Sequence, residues 1–253
     1  MPENNEPKKQ YETGHAKLLE SFDELIALSG TLDQTRLDPP LNLTITALQT
    51  RRAGSQVLQN NVGDSRADWR TSALARAVDV EKFAPLASQA VGALAGRGAS
   101  AQTVKDAQTY VRKLQGGRAE PKPADDPNTP DLNESEKGIS ASQQSSAAQI
   151  ATMYELIDFL EAQPEYADVG NAGLTVVDMR GFVDSVQAKH QTSITDAAAL
   201  SNARIERNKD FYLDADNICD LAKQFKNLVK GAYGANSPEY KAVNAISFIK
   251  IKP

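Results

Sequence analysis

One cysteine and two histidines among 253 residues remove most reactive side-chain chemistry from the chain. Cys219 has no partner for an internal disulfide, and beside Ile218 in an apolar helical stretch it reads as a small core residue, not a reactive thiol. Two scattered histidines, His15 and His190, do not make the Ser/His/Asp or Cys/His sets of nucleophilic catalysis. No apolar run approaches the ~18 residues of a membrane span, and no apolar leader follows Met1-Pro2-Glu3-Asn4-Asn5. The default expectation is therefore a cytoplasmic protein, with leaderless export left open.

Charge of one sign is also missing from any one region. The net charge is −5, and it divides as +1 over residues 1–120, −3 over 121–141 and −3 over 142–253. No basic stripe forms, which argues against binding along a nucleic-acid backbone. Aromatic residues make up only 6% of the chain, whereas Ala, Leu and Gln are plentiful, a balance that favours helix. The length suits one large domain or two of average size.

What is present is self-similarity. Glu24-Leu25-Ile26 recurs as Glu155-Leu156-Ile157, and at the same offset of 131 residues Leu43-Thr44 recurs as Leu174-Thr175 and Gln56 as Gln187. A spacing held over that distance points to a duplicated folding unit. The copies are expected over 11–116 and 142–253, after a loose tail at 1–10. They are separated by a linker over 117–141, whose prolines and acids cannot bury enough surface to offset ordering entropy.

Four helical segments are legible in each copy. The first runs from about Thr13 to Ser29, with Leu18, Leu19, Phe22, Leu25 and Ile26 at helical spacing; its counterpart covers about Ser142 to Ala162. Thr44 and Thr175 are the expected N-caps of the second pair. Leu43 with Leu48, and Leu174 with Met179, would act as hydrophobic staples, and the helices would run to about Asn61 and Ala188.

Long third helices should follow, from about Ser65 to Ala95 with a kink at Pro85, and from Ser193 or Thr195 to Tyr233. Arg76 and Phe83 match Arg204 and Phe211 at an offset of 128. Ser100 matches Ser237 at 137, so copy two carries about nine extra residues in between. Gly98 and Gly234 suit left-handed C-caps, and Ser100 and Ser237 the following N-caps, before a short last helix in each copy. The end, Phe248-Ile249-Lys250-Ile251, alternates as an extended segment does.

Few residues bear the marks of a site. Glu12-x-x-His15 has the spacing used by carboxylate-bridged di-iron bundles, but it occurs once, in a polar segment, and reads as a solvated pair. Gly96-Arg97-Gly98-Ala99-Ser100 reads as a capped turn and not a phosphate loop, since no Walker Lys-Ser/Thr follows. Neither cofactor nor metal is expected. The densest polar helical run, Asn202 to Asp210, reads as a solvated face with i,i+3 pairs between Arg207 and Asp210 and between Glu206 and Lys209. Its alternative is a polar seam between bundles formed by Arg76, Arg204, Arg207 and Asp210. Tyr233, Tyr240 and Phe248 are a candidate aromatic patch or the filling of a bundle end.

These features describe an all-α protein of two tandem, diverged antiparallel four-helix units. The function that fits is a non-catalytic structural or interaction protein that binds a protein partner or forms a homo-oligomer, with no membrane span and no nucleic acid. The alternative is a small-molecule binding protein or enzyme with a pocket between helices or between the copies.

Overall fold

Helix boundaries follow the local chemistry of their caps. In the computed structural model, which describes residues 13–116 and 145–248, α1 spans Thr13–Ser29 and α2 Gln34–Leu37. A 3-10 turn at Leu41–Leu43 leads into α3, Ile45–Val80, followed by α4, Phe83–Gly96, and α5, Ala101–Leu114. Then come α6, Ser146–Glu161, a 3-10 turn at Pro164–Tyr166, and α7, Val176–Asn208. A π turn at Lys209–Leu213 precedes α8, Ile218–Tyr233, and α9, Pro238–Ala245. No strand occurs among the described residues, so the protein is all-α. The expected tail at 1–10, linker at 117–141 and most of the extended segment 248–251 lie outside the described residues.

Thr44 and Thr175 cap α3 and α7 as their sequence neighbourhoods predict. The Ala47 N–H donates to Thr44 Oγ1 at 3.3 Å, and the Asp178 N–H donates to Thr175 Oγ1 at 3.0 Å. Leu43 and Leu48 are buried in one core, while Met179 is buried and Leu174 half-buried in another. Each threonine satisfies an N–H that the first helical turn would otherwise leave unpaired. Gly98 and Gly234 adopt φ of +86° and +92°, and Ser100 and Ser237 accept from the N–H groups of Thr103 and Tyr240, each at 3.1 Å.

The long helices depart from the sequence expectation. No break occurs near Asn61–Ser65 or Ala188–Ser193: α3 and α7 run through, because neither segment holds a proline and Gly63 weakens a helix by only about 1 kcal/mol. The interruptions fall later. α3 ends at Val80 and α4 begins at Phe83, so Pro85 sits in the first turn of a new helix, where its missing N–H removes no ladder bond. The helix expected to reach Tyr233 is interrupted after Asn208 by the π turn, closed by the Asp214 N–H donating to Lys209 O at 2.9 Å, and by a polar loop that ends at the Asn217 cap.

The described residues belong to two compact units. Unit one takes residues 13–67 and 197–248, and unit two takes 68–116 and 145–196. The bundles expected over 11–116 and 142–253 are therefore each divided between the units, since α3 and α7 contribute residues to both. In unit one, Leu18, Leu19, Phe22 and Leu25 of α1 join Phe211 and the α8 stripe of Ile218, Leu221, Ala222, Phe225 and Val229. In unit two, Phe83, Ala87, Ala90 and Leu94 of α4 join Ala107 and Val111 of α5, Ile150, Met153, Ile157 and Leu160 of α6, and Met179 and Val183 of α7.

Replacing either cap should be felt by the whole domain. Thr44→Ala and Thr175→Ala are each expected to lower unfolding free energy by about 1 kcal/mol in urea titrations, with the helix content of the folded state unchanged.

Candidate functional site

The polar centre of unit one lies where α7 gives way to the π turn. Arg207 is fully buried, and its Nε and Nη2 donate to Asn208 Oδ1 at 3.3 and 3.0 Å. Burial and the nearby guanidiniums of Arg204 and Arg66 push its pKa down, against the Tyr212 hydroxyl, which raises it. Asp210 is buried as well. Its carboxylate accepts from Ser55 Oγ at 2.5 Å and pairs with Arg51 Nη2 at 2.9 Å, both residues of α3. Asp210 thus bonds across to α3, whereas Glu206 pairs with Lys209 at 2.8 Å on the surface as its i,i+3 spacing predicts. The run Asn202 to Asp210 is consequently not a wholly solvated face.

Unit two carries a related arrangement near the end of α3. Asp79 is buried and bonded to Lys82 Nζ at 2.7 Å and to Lys189 Nζ of α7. The two lysines hold its carboxyl below the usual carboxylate range. Arg76, half-buried, donates from Nη1 to Ser193 Oγ at 3.4 Å. Arg204, Arg207 and Asp210 belong to unit one and Arg76 to unit two, so the four do not gather in one cluster within either unit.

His15 is buried, not solvated. Its ring lies 5.8 Å from Phe211 and 5.9 Å from Tyr212, between centroids. Desolvation, assisted by the charge of Arg207, lowers its pKa from 6.5 to about 4. Glu12 lies outside the described residues, and no group of three or more metal-ligating His, Cys, Asp or Glu side chains occurs among those described.

The three aromatic candidates all pack on the core of unit one. The Tyr233 hydroxyl accepts from the Asp33 N–H at 3.0 Å under the guanidinium of Arg36, which stands 4.4 Å from the ring centroid. Tyr240 donates to Asn244 Oδ1 at 3.5 Å, and Phe248 meets Phe22 edge-on at 6.4 Å. They fill the end of a core that includes α1.

Two hollows adjoin these groups. An open groove of about 530 Å³ is lined by Thr44, Thr46, Ala47, Thr50, Arg51, Gly54 and Asp210. A smaller one, of about 300 Å³, is lined by Cys219, Asp220, Lys223, Lys226 and Phe248. In the first, Arg51 is 30% exposed and can present N–H groups to an anionic or hydroxylated ligand. Ser55 is buried and bonded to Arg51 O and Asp210, which leaves it no path to a substrate as a nucleophile. In the second, Lys226 Nζ donates to Ile246 O, and burial lowers its pKa.

Arg51, Ser55, Asp79 and Lys189 are polar residues that sequence reasoning does not single out, and His15, read there as solvated, is buried. A signal existed for Arg207 alone: Leu200, Arg207 and Phe211 share one helical stripe, and all three are buried. The chain matches no protein-family model, no curated protein and no solved structure.

The neutral His15 stabilises the fold, so stability should be full above pH 6.5 and decline as pH falls towards about 4. The loss expected is on the order of 3 kcal/mol, with a limiting slope of about 1.4 kcal/mol per pH unit. His15→Leu should flatten this slope in denaturant titrations at successive pH values. Asp79 acts in a separate window: its stabilisation is present above 3.8 and is lost below it, as pH passes its depressed pKa.

Proposed function

We propose that this is a non-catalytic interaction or structural protein, built from a duplicated helical unit and presenting helical faces to a protein partner or to a second copy of itself. The observation that carries this reading is on α3 in unit two, where Leu74 and Val78 stand one turn apart and are 66% and 47% exposed. Apolar side chains at i and i+4 on one helix face are what helix-in-groove and helix-pair recognition use. At the 128-residue offset that relates Arg76 to Arg204, the corresponding residues of α7 are Asn202 and Glu206. An equivalent helix thus manages with polar groups at these places, which supports a role for Leu74 and Val78 outside the fold.

The duplication itself is supported by the matched caps Thr44 and Thr175, by the paired glycines at positive φ, and by the parts list of each unit. Unit one combines the first helix and the Thr44 cap of the N-terminal half with the last two helices of the C-terminal half. Unit two combines α6 and the Thr175 cap with α4 and α5. Two related units favour symmetric or bivalent contacts.

A second reading, a small-molecule binding protein, is favoured by the groove beside Arg51 and Asp210. It requires a stabilising ligand in a thermal-shift screen, with the gain lost in Arg51→Ala.

The leading reading is tested by sedimentation across micromolar concentrations together with pull-down by the full chain. Concentration-dependent association, or a retained partner, that Leu74→Asp/Val78→Asp abolishes is the expected result. A monomer throughout that retains no partner would overturn it.

A further inference from the structure

The outward face of α3 in unit two carries more than the two apolar side chains. Arg70, Leu74 and Val78 project in neighbouring directions at about 100° per residue, and Glu81 continues that face one residue past the end of α3. The Glu81 N–H donating to Ala77 O at 3.1 Å keeps it in helical register. All four residues are exposed. A basic group therefore stands at one end of the apolar pair and an acidic group at the other, about 16 Å apart along the axis.

Three other charges of this stretch have partners within unit two, although Lys82 itself is exposed. Arg76 reaches Ser193, Asp79 is buried against Lys189, and Lys82 is bonded to Asp79. Small residues border the apolar pair, since Ala73 and Ala77 precede Leu74 and Val78 and recur at the same spacing of four.

A helix with opposite charges at its two ends is self-complementary only in one sense. Laid parallel, a second copy sets like charges together. Laid antiparallel about a two-fold axis, it sets Arg70 against Glu81 twice, and the same register brings Leu74 against Ala77 and Val78 against Ala73. Large side chains then meet small ones, the arrangement that lets helices approach to about 8–10 Å. Such an interface is isologous and closes as a dimer.

We propose that the Arg70–Glu81 face of α3 pairs antiparallel with the same face of a second copy of this chain. The inference rests on the interaction reading above and names its partner. One helix face is smaller than the roughly 1,000 Å² of stable interfaces, so the dimer is a weak one that forms in the micromolar range or above.

Sedimentation equilibrium of the full chain, from about 5 to 500 µM, tests this directly. The wild type is expected to dimerise, more weakly as salt rises. Arg70→Glu and Glu81→Arg each set like charges together at two places and should weaken the dimer about tenfold or more. The double variant R70E/E81R restores both pairs and should recover most of that loss. All these positions are exposed, and circular dichroism confirms that each variant is folded. A wild type that stays monomeric overturns the pairing, as does a double variant no better than the singles. If Leu74→Asp/Val78→Asp abolishes association while the charge reversals have no effect, the antiparallel pairing fails and the interaction reading survives. If that variant associates like the wild type, both fail.

Discussion

A buried carboxylate needs a cation, and near the C-terminal end of each long helix one is held in that way. Asp79, just before the end of α3, is held by Lys189 of α7 and by Lys82. Asp210, just after the end of α7, is held by Arg51 of α3 and by Ser55. In each unit the carboxylate comes from one long helix or its C-terminal extension, and a cation from the other. Removing a partner from such a pair leaves a charge with poor access to water, which is costlier than never having placed it there. The same contacts position the aromatic residues that follow, Phe83 in unit two and Phe211 with Tyr212 in unit one, at the centre of their cores.

What could be read from the sequence was what short-range chemistry decides. A threonine ahead of a helix, flanked by apolar residues at the staple positions, is a local solution to unpaired N–H groups, and Thr44 and Thr175 adopt it. Gly98 and Gly234 end helices for an equally local reason, their positive φ. The division of the chain was not local. Val62 in the middle of α3 and Ser193 in the middle of α7 are buried, and nothing in their neighbours announces that a helix passes through them without a break. His15 shows the same gap: a histidine among polar residues, with Gly14 before it, is buried only because Phe211 and Tyr212 arrive from nearly 200 residues away.

Several of the buried polar groups bond within the protein. Arg51, Ser55 and Asp210 bind one another, and Lys226 ties α8 to the backbone at Ile246. Polar groups satisfied in this way rigidify a fold and define one packing. On the surface of α3 in unit two, by contrast, Leu74 and Val78 are exposed and contribute little to any core.

The composition of the units also sets an order in time. Every described residue of unit two lies between positions 68 and 196, so its parts are all synthesised before α8 and α9. Unit one needs α1 and α8 together, and α1 is made first. Leu18, Leu19, Phe22 and Leu25 can meet the α8 stripe only after the roughly 190 residues between the two helices have been made, an interval of about ten seconds or more at ~5–20 residues per second.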